Sequence, residues 1–234
     1  MENTGGFLFL AIFIIPGILA QGSVTMAFSA GVIAAWINLG ALQAFYTMIS
    51  EGVRDGELES YLMIPVSPLS LCLSSIMRTT FMLPLLSIMI VFVFIEGGRI
   101  TLNPAFFLIA IALTFFANFG LSIIFGAIQL TYKQVGQLVN IVSLSVFLCS
   151  QLVVLADILP GPLGFVVRLI PWSQSAVLFG YSFNELVGSS FDLLYAIAYL
   201  ISFGLLTLAI AIPLFRRAEH HARIKGLIER EHRF

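Results

Sequence analysis

Apolar residues fill five long stretches of this chain, at about 23–49, 69–95, 105–130, 136–156 and 193–215. Within each stretch they run continuously and do not alternate. A strand of a membrane barrel would need only about 10 residues with a period of two. A helix that crosses roughly 30 Å of hydrocarbon needs about 20 apolar residues in a row. The pattern therefore predicts an all-α polytopic membrane protein with five transmembrane helices. The opening run "GGFLFLAIFIIPGILA" is short before Pro16 and Gly17. It reads as an outer-leaflet or re-entrant piece, or, if residues 5–22 cross, as a sixth span.

Two regions interrupt the apolar pattern. Ser50–Pro68, "SEGVRDGELESYLMIPVSP", holds four carboxylates and one arginine between two spans. Read as a helix from Gly52 to Met63, it places Leu58 and Leu62 near one another and Asp55 with Glu59 on another side. Pro65 and Pro68 then end the helix and turn the chain into the next span. The result is a short amphipathic helix lying on the membrane surface or against a partner. A solvated loop is the plainer alternative, but it has no use for the apolar stripe of Leu58, Tyr61, Leu62 and Met63. The second interruption is 157–192, with three prolines and four glycines. Its apolar pieces are too short to cross, so it predicts one or two short helices at the outer surface or dipping part-way in. Such irregular backbone is tolerated at depth only against protein or a water-lined cavity. Trp172 and Tyr181 suit the interface between lipid and water.

Composition agrees with the membrane reading. Hydrophobic residues make up 59% of the 234 and charged residues 10%, against about 25% charged in a typical soluble domain. The net charge of −1 leaves no footprint for nucleic acid. Positive charge fixes a direction, because basic residues stay on the cytoplasmic side. With 50–68 inside, the inner face carries Arg54, Lys133, Arg216, Arg217, Arg223, Lys225, Arg230 and Arg233, and the outer face only Arg99 and Arg168. The C-terminus is accordingly expected in the cytoplasm, in a multi-pass protein of the cell (inner) membrane.

Few polar side chains fall within the spans: Asn38, Gln43, Arg78, Asn118, Gln129, Asn140 and Gln151. Arg78 either lines a path or snorkels to the interface. Asn118 and Asn140 either touch a substrate or cross-link helices. Gly31, Ala34 and Ala35, and Gly120 with Gly126, are expected to let helices approach closely. Cys72 and Cys149 read as small buried hydrophobes. His220, His221 and His232 lie in the polar tail, so no metal site is expected. No phosphate-binding glycine loop is present, so any ATP must be bound by another chain.

The window from Glu51 to Ser67 resembles the signature of ABC-2 type transporter permeases, the membrane subunits of ATP-binding cassette exporters. In that family an Arg-Glu-x-Gly-Thr-Leu-Glu run follows a span and precedes a Pro-x-Ser turn. Arg54, Asp55, Gly56, Leu58 and Glu59 match approximately, with Glu57 in place of threonine and Ser74 and Ser75 where a Gly-Lys pair is usual. The proline-bearing stretch "LPGPLGFVVRLIPWSQSA", with Pro160, Pro171 and Trp172, is similar to the family's outer re-entrant region before the last span. The resemblance covers roughly 14–217 and assigns 1–217 to an ABC-2 type transmembrane domain and 218–234 to a basic cytoplasmic tail. By the same comparison the usual first helix of six is missing.

The resemblance implies a coupling helix that docks on a cytoplasmic ABC ATPase through Arg54, Asp55, Gly56, Leu58, Glu59 and Leu62. ATP and magnesium would then sit on that partner, none in this chain. It also implies a dimer with a second permease copy or a homologous permease, surrounded by membrane lipids. Arg78, Asn118 and Asn140 become candidates for a translocation path. The alternatives are a non-transporting membrane subunit of an ATPase complex and a secondary transporter. None of the twelve Asp and Glu residues falls within the five spans, which argues against ion coupling through carboxylates near mid-membrane and leaves sites built from backbone open. An intramembrane enzyme is disfavoured because every histidine lies in the tail.

Overall fold

The computed structural model describes residues 23–54, 70, 74, 103–132, 135–152, 166–182 and 190–231. Every regular element among them is helical: α1 (Ser23–Arg54), α2 (Pro104–Tyr132), α3 (Gly136–Leu152), α4 (Pro171–Ser182) and α5 (Ser190–Glu231). In hydrocarbon a backbone must satisfy its own N–H and C=O groups, so long apolar runs fold as helices. Local sequence sets where they begin. Asn103 caps α2, its Oδ1 accepting from the N–H of Ala105 at 3.2 Å and of Phe106 at 3.4 Å. Pro104 takes the first helical position, where a missing N–H costs nothing. Pro171 opens α4 in the same way.

Three helices are long and apolar enough to cross a membrane, over Ala30–Glu51, Pro104–Tyr132 and Leu193–His221. They coincide with the first, third and fifth apolar stretches. The fourth stretch is helical but shorter: α3 has 17 residues. The stretch at 69–95, the opening run and the Glu51–Ser67 window after Arg54 lie outside the described residues, apart from Ser70 and Ser74, which are helical.

The C-terminal parts of α1 and α2 gather at one end of the bundle with the stretch 211–218 of α5, which continues beyond them to Glu231. There Ala44, Phe45 and Ile49 of α1 meet Ile123, Ala127 and Leu130 of α2 and Ala211, Phe215 and Ala218 of α5. The Phe45 and Phe215 rings lie 5.3 Å apart. Toward the opposite end a second cluster joins Ile33, Ala34 and Ile37 to Phe107 and Ala110, to Phe179 of α4 and to Leu200 of α5. Packing of α3 on α1 and α2 makes a third, with Leu42, Phe125, Val135, Val139 and Val146.

Glycines set the closest approaches. A Cβ on Gly120 would run into the Thr207 hydroxyl and stand 2.6 Å from the Thr207 carbonyl carbon. One on Gly126 would run into the Phe45 ring, 2.6 Å from its Cε1. Between helices in lipid there is no hydrophobic driving force, so such contacts supply much of the association.

Candidate functional site

The short helix α4 is the unusual element. It has 12 residues, about 18 Å of helix, too short to cross. Its last residue meets the start of α2, where the Asn103 N–H donates to the Ser182 carbonyl at 2.8 Å. Its first turn meets the middle of α2: Trp172 Nε1 donates to Asn118 Oδ1 at 3.1 Å. Helix α4 therefore runs antiparallel to α2 and extends about half its length. The short helix expected within 157–192 is present, and it is packed inside the bundle. Ser173, Ser175, Leu178 and Phe179 are all buried.

A chain of amides holds the inner end of α4. Asn118 Nδ2 donates to Asn38 Oδ1 at 2.6 Å and to the Thr114 carbonyl one turn back at 2.8 Å. Asn38 Nδ2 donates to Ser175 Oγ at 2.6 Å and to the Ala34 carbonyl at 2.7 Å. The Ser175 hydroxyl donates in turn to the Trp172 carbonyl at 2.7 Å. Asn38 and Asn118 are 1% and 2% exposed. Both N–H bonds of each amide are used, and both amide oxygens accept. Each asparagine thus satisfies its own helix and reaches a neighbour, as buried amides must when water is excluded. Away from this chain, Ser173 Oγ donates to the Cys149 carbonyl of α3, Gln174 Nε2 to the Arg168 carbonyl, and Tyr199 of α5 to the Leu169 carbonyl. Thr114 Oγ1 is buried beside this cluster with no partner.

The predicted site residues separate in the structure. Asn118 lies at the centre of the amide chain. Asn140 lies on the exposed side of α3, so the two path candidates are not brought together. Trp172, expected at the lipid–water interface, instead binds Asn118 inside the bundle. The physical reason is its indole N–H, which finds a buried acceptor at α4's first turn. Pro171 starts that turn. Arg54 is the last described residue of α1, so Gly52–Arg54, expected to open a separate surface helix, continue α1 instead. Asp55, Gly56, Leu58, Glu59, Leu62, Arg78 and Pro160 lie outside the described residues. In the sequence Asn38 stands out only as polar, not in company with Ser175 and Thr114. The bond each asparagine makes to the carbonyl four residues back is open to any asparagine in a helix, so the sequence held no signal that would single out this pair.

Among the described residues, no three His, Cys, Asp or Glu side chains gather as a metal site would require. The arrangement is neutral and fully hydrogen-bonded around its two asparagines. Its chemistry is positioning, since it fixes α1, α2 and α4 against one another at mid-bundle. Compared with known proteins, the chain matches no family model and no curated protein.

Proposed function

We propose that this chain is the membrane permease subunit of an ATP-driven exporter of the ABC-2 kind. In this reading it crosses the membrane five times, keeps its C-terminus in the cytoplasm, and is driven by a separate ATPase that binds ATP and magnesium. The observation that carries the proposal is the continuity of α1. One unbroken helix of 32 residues holds the amide chain at Asn38 and reaches Arg54, inside the charged segment that opens at Ser50. Sixteen residues separate those points, about 24 Å of rigid rod.

The rod supplies a route from a docking element to the centre of the bundle. An ATPase that grips Arg54, Asp55, Gly56, Leu58, Glu59 and Leu62 moves the end of α1. The other end of the lever carries Asn38, whose bonds to Asn118 and Ser175 cannot stretch by degrees. A buried amide that loses one partner must find another. Displacement of α1 thus switches between discrete pairings, as alternation between inward-open and outward-open states requires. Asn118 is a pivot in this scheme. The amide chain carries no ionisable group, which gives a proton-coupled secondary transporter no support at this point.

The test is a pull-down of the tagged full chain from mild detergent, with a double charge reversal of Arg54 and Glu59 (R54E/E59R) as comparison. Wild type should recover an ATP-binding cassette ATPase, identified by mass spectrometry, and the reversal should not. Equal recovery from both would remove the docking role.

A further inference from the structure

The outward side of α5 changes character at one point. Leu194, Ile201, Leu205, Leu206, Ile210 and Leu214 are all exposed large apolar residues. They form two adjoining rows, Leu194, Ile201 and Leu205 in one and Leu206, Ile210 and Leu214 in the other, which together make one broad outward face, the α5 stripe. The next exposed positions on the same arc are Arg216, Arg217, His220 and His221. The inward arc stays apolar, with Ala211, Phe215 and Ala218 packed on α1 and α2. Glu219, the one acidic residue in this turn, is half-buried at the edge of the arc. The basic groups therefore stand in line with the lipid-facing stripe, directly beyond its end.

We infer that Arg216 and Arg217, with His220 and His221, form a binding site for the headgroup of an anionic phospholipid. The lipid's acyl chains lie along the α5 stripe, and its phosphate meets the two guanidinium groups. Geometry and charge both favour that occupant. An acyl chain that runs along Ile210 and Leu214 brings its headgroup to the level of Arg217, one turn beyond Leu214. Guanidinium donors match phosphate oxygens, and each basic residue at an anionic surface adds attraction. This inference does not rest on the exporter reading. It needs only that the α5 stripe faces lipid.

The test is native mass spectrometry of the delipidated full chain, titrated with phosphatidylglycerol or with phosphatidylcholine. Wild type should prefer phosphatidylglycerol by roughly tenfold. R216Q/R217Q should lose most of that preference, and R216K/R217K, which keeps the charge, should retain most of it. Raised salt should weaken the preference. An equal affinity of wild type for both lipids would overturn the inference, as would an undiminished preference in R216Q/R217Q. Loss of ATPase capture by R216Q/R217Q, with no lipid preference in wild type, would assign the surface to a protein partner instead and overturn it equally.

Discussion

Near the ends of α1 and α2, those helices and the passing stretch of α5 meet through rings, alanines and glycines; halfway along, α1, α2 and α4 meet through amides. The first contact is sensitive to volume. Gly126 admits the Phe45 ring, and Phe215 packs on that ring from another side. The second is sensitive to pairing. Asn38 and Asn118 have neighbours of ordinary size, but every bond depends on another. A close-packed seam resists sliding in all directions, whereas a hydrogen-bonded one holds a register and can exchange it. The difference sets a contact limited by volume against one limited by pairing.

The largest expected effect lies in the close-packed seam. Gly120→Ala places a Cβ 2.6 Å from the backbone of Thr207, which cannot rotate away. Helices α2 and α5 must separate, and overpacking of this kind costs about 3 kcal/mol, the upper end of its usual range. Gly126→Ala should cost somewhat less, since its obstacle is a side chain, though Phe45 is itself confined. Unfolding titrations in mixed micelles check both. Wild-type stability in Gly120→Ala would mean that α2 and α5 are not held at this separation.

Next comes the amide chain. Asn118→Leu removes the acceptor of Trp172 Nε1 and the donor to Asn38 Oδ1. A half-buried indole N–H and a buried amide oxygen lose partners, and in a membrane bundle the loss should total about 2 kcal/mol. The same titration measures it. Ser173 still anchors α4 to α3, so the helix should loosen at its inner end and not detach. A cysteine placed at Ser175 should then react faster with a small maleimide in the Asn118→Leu background than alone. Equal rates would place the hold on α4 elsewhere.

A double-mutant cycle on Asn38 and Asn118, each replaced by leucine, gives a smaller figure. The pair shares one direct bond of 2.6 Å. Measured couplings across membrane helices average about 0.6 kcal/mol and reach about 1.7. A value near 1 kcal/mol, roughly midway in that range, is expected here because both amides are buried. Coupling near zero would mean that each asparagine acts only on its own helix.

Much of this architecture is legible in the chain itself. Continuous apolar stretches sufficed for α1, α2 and α5, because a span is a matter of length and composition. The proline and glycine content of 157–192 marked one or two short helices in place of a span, but that one of them starts at Pro171 is visible only in the structure. What pattern could not reveal is depth. Trp172 has the same side chain at an interface and inside a bundle, and only the tertiary position of Asn118 decides between them. Asn118 and Asn140 likewise look alike in sequence, each an amide in an apolar run. Which of them faces a neighbour depends on helix rotation, and the apolar runs here are hydrophobic on nearly all sides, so the rotation leaves little trace.

Asn140→Leu should therefore have the smallest effect. Asn140 lies on the exposed side of α3 among Leu138, Ile141, Leu144 and Leu148. It stands four residues into the helix, about 6 Å from its start. An exposed amide so close to a helix end is expected to find water or headgroup partners, so its hydrogen bonds do not depend on this chain. Replacing it by leucine extends an apolar surface and orphans no buried group. A stability change within about 0.5 kcal/mol is expected, as for a surface substitution away from any special feature. Chemical unfolding in the same micelles measures it beside Asn118→Leu. A loss as large as that of Asn118→Leu would show that the amide pairs with something outside this single chain. The exposed face of α3 would then be an interface, and the contrast between the two asparagines would be one of partner, not of burial.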